Sequence, residues 1–147
     1  MICLLLGSNK GDREGNLAAA RGLLSDRLRT GLRCSEVMRT EALGFEGAEF
    51  LNQAVAFDKE IDPMSLLELT QACEVELGRE PHTAEFDAEG RRVYRDRTID
   101  IDILIFNDLQ IHTERLEIPH PQIWSRPFVK VLLEQIETNE NQKNIRQ

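Results

Sequence analysis

Two aspartates interrupt the most aliphatic stretch of the chain, RDRTIDIDILIF at positions 95–106. Side chains of a strand alternate between its two faces, so Asp100 and Asp102 point to one face and the flanking isoleucines fill the other. The two carboxylates then lie about 7 Å apart. At an effective dielectric constant of about 20, they repel each other by roughly 2 kcal/mol. The pattern predicts a cationic partner on this face of the strand.

An arginine-rich segment, residues 79–98, directly precedes these aspartates. It reads REPHTAEFDAEGRRVYRDRT and has no convincing periodic pattern, and loops of this length are usually functional lids or disordered. Guanidinium groups match phosphate oxygens with paired donors and stay charged. The arginines are Arg79, Arg91, Arg92, Arg95 and Arg97, and the acids among them are Glu85, Asp87, Glu89 and Asp96. The alternative is a set of surface ion pairs of little energetic value. The composition favours a lid, and its arginines suit contact with a polyphosphate.

Paired carboxylates beside arginines suit a site for magnesium and a polyphosphate. Magnesium prefers one or two carboxylates together with water and substrate phosphates. A D-x-D triplet alone is a weak signal, because it also occurs in sugar transferases and in plain surface strands. We therefore predict Asp100 and Asp102 as metal ligands, with a metal-free surface strand as the alternative.

Two other segments carry residues that could bind a ligand. His120 lies between two prolines in IPHPQIWSRPF, and a stiff loop could hold it and Arg126 towards a polyanion, although a single histidine is more often structural. Phe50 and Asn52 share one face of a strand in EFLNQAV. Such an aromatic usually belongs to the core, but a flat heterocycle would also need a ring to stack on and an amide to read its edge.

A third group of candidates lies on a predicted helix. Gln71, Glu74 and Gly78 follow one another at spacings of three and four residues, beside the apolar stripe of that helix. The alternative interpretation is an ordinary solvated face.

Regular elements that could position these residues follow from hydrophobic periodicity. Helices are predicted over 13–28, with Asp12 as N-cap, over 63–77, between Asp62 and Gly78, and over 127–137. Strands are predicted over 2–6, 51–57 and 99–106, with a strand edge over 34–38. This βαββαβ order predicts an α+β, ferredoxin-like antiparallel sheet with two helices packed on one face and an extra C-terminal helix.

Composition limits the partners and the cell compartment. With 147 residues and 41% apolar content, we predict one domain over 1–137 and a frayed tail over 138–147. A formal charge of −8 makes nucleic acid or an anionic membrane an unexpected partner. The three cysteines are predicted to be reduced core thiols. Without a long apolar run, the expected location is the cytoplasm. The expected oligomeric state is a monomer.

Several motifs occur together in an order that resembles one enzyme family. They are LLLGSNKGD, FLNQAV, E-x-x-x-GR from Glu74, RTIDIDIL, and IPHP followed by RPFV. This combination resembles the 6-hydroxymethyl-7,8-dihydropterin pyrophosphokinases over residues 2 to about 133, and RTIDIDIL followed by PHP-x4-RPF is its most specific part. The resemblance implies the ferredoxin-like fold and a folate-pathway enzyme that moves diphosphate from ATP to the pterin hydroxymethyl group, releasing AMP.

The resemblance also implies roles for individual residues. Asp100 and Asp102 would bind two magnesium ions and would be catalytic together with Arg79 and Arg97. ATP would contact Gln71, Glu74, Arg79, Arg97, Ile103, Arg115, His120 and Arg126. The pterin would contact Thr40, Leu43, Phe50, Asn52, Tyr94 and Phe128, with its ring stacked between Phe50 and Phe128.

Three departures from the family pattern stand out. The loop after Arg79 is longer than in compact members, and Tyr94 stands where tryptophan is usual. Phe50 stands where tyrosine is common in the family. Pro121 stands where some members have tyrosine. None of these changes removes a charge that the chemistry needs.

The implied mechanism is in-line attack of the pterin hydroxyl on the β-phosphorus, with positioning and charge neutralisation supplying most of the catalysis. Two other functions compete with this one. A non-catalytic ferredoxin-like domain could bind a small regulatory ligand, but it has no need for paired aspartates beside an arginine-rich loop. A nucleotide-sugar transferase could use the D-x-D triplet, but such enzymes need a larger nucleotide-binding domain.

Overall fold

The computed structural model describes residues 1–41, 49–78, 85–86, 88–89, 92–93 and 98–146. Its strands are β1 (Ile2–Ser8), β2 (Arg33–Cys34), β3 (Met38–Thr40), β4 (Phe50–Phe57), β5 (Glu85–Phe86), β6 (Arg92–Val93), β7 (Asp100–Phe106), β8 (Ile111–His112) and β9 (Glu117–Ile118). Its helices are α1 (Arg13–Leu28), α2 (Pro63–Glu76), α3 (Gln122–Ser125) and α4 (Pro127–Arg146).

The main sheet is antiparallel and has β1 near its centre. Its paired strands follow the order β2, β4, β1, β7, and β3 also pairs with β4. Two small antiparallel sheets are added, β5 with β6 and β8 with β9. The predicted α+β class with an antiparallel sheet is confirmed. The strand arrangement differs from the predicted four strands, because the predicted edge strand is split into β2 and β3.

The sheet carries apolar side chains on both faces. Along β1, Ile2, Leu4 and Leu6 pack into the core cluster that contains α1 and α2 residues. The alternate side chains, Cys3 and Leu5, pack into a second cluster with α4 residues. All seven residues of β1 are therefore buried. The extra C-terminal helix covers the face opposite to the other two long helices, a placement that the sequence pattern did not supply.

The starts of all three predicted helices are confirmed, and so are the two predicted N-caps. Asp12 Oδ1 accepts a hydrogen bond of 3.0 Å from the Gly15 N–H. Asp62 Oδ2 accepts from the Met64 and Ser65 N–H groups at 3.1 and 3.2 Å, and proline occupies the first turn. These bonds satisfy backbone donors that the first turn leaves without intrahelical partners. At the other end of α2, Gly78 has φ +103°, a conformation that favours glycine and ends the helix.

The C-terminal helix is longer than predicted. It runs to Arg146, nine residues past the expected end at 137. The fraying of 138–147 and the single domain over 1–137 stay predictions. Among the described residues, no helix is long and apolar enough to span a membrane. All three cysteines are free, and burial raises the pKa of the Cys3 thiol to about 12, so it stays protonated at neutral pH.

Candidate active site

The two aspartates of β7 lie on the α4 face of the sheet. Ile99, Ile101 and Ile103 pack into the opposite core with α1 and α2, as the alternation predicts. Asp100 pairs with Gly7 of β1, and Asp102 pairs with Leu5. Both aspartates are half-buried. The strand therefore anchors itself through the isoleucines and presents the carboxylates at the edge of the second core.

A row of residues crosses three strands beside the aspartates. Gly7 pairs with Asp100 on one side and with Asn52 of β4 on the other. Paired residues of antiparallel strands project to the same face, so Asn52 and Asp100 flank the glycine. A Cβ atom placed on Gly7 would lie 3.4 Å from Asn52 Oδ1 and 3.5 Å from Phe50 Cδ1. The glycine thus leaves an open floor between an amide, an aromatic ring and a carboxylate.

The Asn52 amide is held by its neighbours on β3. Its Nδ2 donates to Thr40 Oγ1 at 2.8 Å and to the Met38 carbonyl at 3.4 Å. Asn52 is buried, while Thr40 and Phe50 are half-buried. Three of the residues expected around the pterin thus come together at the β3–β4 pair.

His120 is brought to β7 by a main-chain contact. Its N–H donates to the Leu104 carbonyl at 2.9 Å, two residues after Asp102. Burial lowers the pKa of His120, and the negative charges of Asp100 and Glu117 act against that shift. The histidine therefore lies in the electrostatic field of the first aspartate, as a site residue should.

Arg126 lies between α3 and α4, within the electrostatic influence of the same aspartates. Its guanidinium carbon is 4.5 Å from the centre of the Phe128 ring, a cation–π geometry. Burial lowers the pKa of Arg126, and the charges of Asp102 and Asp100 raise it. The side chain remains a cation at any working pH. It connects the carboxylates to the aromatic residue expected to stack on the pterin.

Sequence reasoning missed Gln122, which contacts three of these residues. Its Nε2 donates to Asp102 Oδ2 at 3.1 Å, and its Oε1 accepts from Arg126 Nη1 at 3.5 Å. Its main-chain N–H donates to His120 Nδ1 at 3.2 Å. The side chain is only 8% exposed. The one available signal was its place between His120 and Arg126 in the motif, which does not show where its amide points.

A comparison with protein-family models gives a match over residues 3–138, to the model described as 7,8-dihydro-6-hydroxymethylpterin-pyrophosphokinase. The matched region includes every described site residue. The chain belongs to this family. The resemblance inferred from the sequence motifs is therefore confirmed.

Individual relatives agree with the family match. A protein of Porphyromonas gingivalis named 2-amino-4-hydroxy-6-hydroxymethyldihydropteridine pyrophosphokinase is 41% identical, over 92% of this chain and 90% of its own. A Bacillus subtilis protein of the same name is 42% identical, over 90% of this chain and 75% of its own. The chain also matches a quarter of an Arabidopsis thaliana protein named folate synthesis bifunctional protein, at 35% identity over 87% of this chain.

The remaining residues expected at the ATP site have different environments. Glu74 is 5% exposed, and its Oε2 accepts a 3.0 Å hydrogen bond from the Ile101 N–H. The solvated-face alternative is therefore wrong for Glu74, whereas Gln71 is exposed. Ile103 lies in the core with 3% exposure, so its side chain is not accessible to a ligand. Arg115 is exposed between β8 and β9.

Four expected site residues, Leu43, Arg79, Tyr94 and Arg97, lie outside the described residues. Arg91 and Arg95 do as well. Within the arginine-rich segment, β5 and β6 pair with each other, Glu85 with Val93 and Phe86 with Arg92. The segment therefore contains a short pair of antiparallel strands that its sequence pattern did not indicate.

Asp100 and Asp102 are the carboxylates of the site that could hold magnesium. Among the described residues, no group of three or more His, Cys, Asp and Glu side chains is arranged to hold a metal ion. Magnesium is commonly bound through one or two carboxylates plus substrate phosphates. Asp100 and Asp102 fit this requirement, because two carboxylates can hold magnesium when a polyphosphate supplies further ligands.

Proposed function

We propose that this chain transfers diphosphate from ATP to the hydroxymethyl group of 6-hydroxymethyl-7,8-dihydropterin, releasing AMP, as a step of folate biosynthesis. Membership of the pyrophosphokinase family supports this reaction. The structural observation that carries it is the row Asn52–Gly7–Asp100 across β4, β1 and β7.

This row fits the two ends of the acceptor substrate. Asn52 and Asp100 lie on strands that are two spacings apart, about 10 Å. A bicyclic pterin with a short hydroxymethyl arm can extend from the amide towards the carboxylates over the open floor at Gly7. The amide would read the edge of the heterocycle, and Thr40 holds that amide at 2.8 Å. Phe50 and Phe128 would stack on the ring faces.

The other end of the site would hold the polyphosphate. Asp100 and Asp102 would bind two magnesium ions, which supply positive charge to the phosphates when bound. His120 and Arg126 would contact ATP from the α3 side, and Arg79 and Arg97 would neutralise charge on the transferred group. Gln71, Glu74, Arg115 and the Ile103 main chain complete the proposed ATP contacts. Leu43 and Tyr94 complete those of the pterin.

The transfer itself is a single displacement. The hydroxyl oxygen of the pterin attacks the β-phosphorus of ATP, and the bond from that phosphorus to the α,β-bridging oxygen breaks. The pterin oxygen releases its proton, which ends in the solvent, and AMP leaves with the bridging oxygen. The side chains contribute by aligning the two substrates, and closure of the 79–98 segment would exclude water.

Finer features of the fold and the cell context are part of the same proposal. The order of paired strands, β2, β4, β1, β7, is compatible with a ferredoxin-like plan. We also propose that the chain acts as a monomer in the cytoplasm, without nucleic-acid or membrane partners.

The direct test is to incubate the chain with ATP, magnesium and the hydroxymethyl pterin, and to follow the nucleotide products by chromatography. We expect equal amounts of AMP and pterin diphosphate. Omitting the pterin or chelating the metal should each abolish AMP formation. AMP formed at the same rate without pterin, or ADP as the main product, would contradict the proposal.

A further inference from the structure

Gln122 is an uncharged side chain held between two charged ones. It bonds to Asp102 through its amide nitrogen and to Arg126 through its amide oxygen, at 3.1 and 3.5 Å. It is buried, although amide side chains are usually exposed. A buried amide that satisfies both of its ends in this way is held in one orientation.

The charges of the two partners fix that orientation. If the amide were reversed, its oxygen would face the Asp102 carboxylate and its NH2 group would face the Arg126 guanidinium. Both contacts would then be repulsive, because a carboxylate only accepts hydrogen bonds and a guanidinium only donates them. The donor end of Gln122 must therefore point to the aspartate.

An amide at this position differs in effect from a direct ion pair. A guanidinium and a carboxylate in contact form a bidentate pair and neutralise each other. Through Gln122, each of the two groups is oriented without losing its charge to the other.

The main chain of the same residue orients a third site residue. Because the Gln122 N–H donates to His120 Nδ1 at 3.2 Å, Nδ1 is an acceptor. A neutral histidine must then carry its proton on Nε2, which becomes a donor. One residue thus contacts a carboxylate, a guanidinium and an imidazole of the site.

We propose that Gln122 is a positioning residue, which sets the separation of Asp102 and Arg126 and the ring orientation of His120 for a metal-bound polyphosphate. This inference rests on the proposed function for its ligand. It adds a residue that acts through the three side chains it contacts. Its loss should therefore affect metal and nucleotide binding together with turnover, and leave the pterin side unchanged.

Two variants and one control test the inference. Gln122→Met removes the amide and keeps the length of the side chain, while Gln122→Glu keeps the shape and replaces the donor by a carboxylate that would pair with Arg126. The control is Ile123→Val, the next residue of α3, which is buried in the α4 core through apolar contacts. It perturbs packing without touching the polar contacts.

The measurements are Mn²⁺ binding by electron paramagnetic resonance with a non-hydrolysable ATP analogue, steady-state kinetics and urea unfolding. For Gln122→Met, we expect Mn²⁺ affinity and kcat each to fall about 10- to 100-fold, as for other residues that orient metal ligands. The pterin KM should stay within about twofold. For Gln122→Glu, affinity for the analogue should fall about tenfold, a loss of about 1.4 kcal/mol. Ile123→Val should lower only the stability.

Clear results would overturn the inference. If Gln122→Met binds Mn²⁺ and turns over as Ile123→Val does, Gln122 serves only packing. If Gln122→Met does not fold, the isosteric Gln122→Glu decides, and an unchanged affinity for the analogue rejects the positioning role. The Mn²⁺ titration needs no pterin, so its result does not depend on whether the chain has the proposed activity. A wild-type chain that binds the analogue but forms no AMP would reject the proposed function alone.

Discussion

The Glu74 carboxylate of α2 accepts a 3.0 Å hydrogen bond from the main-chain N–H of Ile101, the residue between the two aspartates of β7. Glu74 is almost fully buried, and among the described strands of the main sheet β7 pairs with β1 alone. A buried carboxylate without hydrogen bonds would be costly. The bond therefore ties the helix to the edge strand at the point where that strand presents the carboxylates.

Removing this bond should weaken the fold. We expect Glu74→Ala to lower the free energy of unfolding by about 2 to 3 kcal/mol, because a buried N–H loses a charged acceptor. Urea unfolding measures the change. The matched control is Glu76→Ala, at another glutamate of α2. It removes an exposed ion pair with Arg27 of α1 and should lower the free energy of unfolding by less than about 1 kcal/mol. Equal losses in the two variants would contradict the role given to Glu74.

The open floor at Gly7 gives a second prediction. A methyl group there would only touch Asn52 and Phe50, at 3.4 and 3.5 Å, so Gly7→Ala should fold. It would, however, occupy space that the proposed pterin position requires. We expect the pterin KM to rise about tenfold, which corresponds to about 1.4 kcal/mol, while the KM for ATP stays unchanged.

The control for Gly7 is another glycine of the same chain. A Cβ on Gly22 of α1 meets no atom within 4 Å. Gly22→Ala should therefore raise the stability by about 0.5 to 1 kcal/mol, as alanine does inside a helix, and should leave both KM values unchanged. An unaltered pterin KM in Gly7→Ala would argue against a pterin lying over β1.

The face of the strand on which the two aspartates lie could be predicted from the sequence, because strand alternation is a local pattern. Strand alternation alone separates Asp100 and Asp102 from the isoleucines, and the caps at Asp12 and Asp62 depend on residues two or three positions away. The function could be predicted because several short motifs occur together in one order. The same local signals gave the start of α4 but not the face of the sheet that it covers.

Gln122 and Glu74 show what could not be predicted. Gln122 reaches an aspartate 20 residues earlier in the chain, and Glu74 reaches a main-chain group 27 residues later. Both contacts depend on how separate elements pack, which periodicity does not encode. Glu74 lies at the border of the apolar stripe of α2, where a helical pattern predicts either burial or exposure. The hydrogen bond that Glu74 accepts from the Ile101 N–H of β7 accounts for its burial.

The proposed metal ligands give a third prediction. Asp102→Asn keeps the shape of the side chain and removes the charge, so the affinity for magnesium should fall if Asp102 is a ligand as proposed. We expect kcat to drop about a thousandfold, equivalent to the several kcal/mol that metal charge supplies in such transfers. Asp108→Asn, at an exposed aspartate just after β7, is the control and should keep wild-type turnover. Wild-type rates in Asp102→Asn would refute the metal assignment.

His120 gives a prediction about pH. Burial lowers its pKa below the ordinary value of about 6.5, while Asp100 and Glu117 only partly oppose the shift. Above that ordinary value, the histidine is neutral in both the folded and the unfolded chain. As the pH falls from about 6.5 through the lower folded pKa, the unfolded chain binds the proton first, so stability is lost in that interval.

This sign can be measured against a variant that lacks the imidazole. The stability of the wild type relative to His120→Gln should decrease between pH 7 and pH 5, as followed by urea unfolding at several pH values. His112→Gln, at an exposed position of β8, controls for the loss of a histidine. The His120 ring signal in an NMR titration should also have its midpoint below about 6.5. A midpoint above that value would mean that the charges of Asp100 and Glu117 outweigh burial, and the stability difference would then grow as the pH falls.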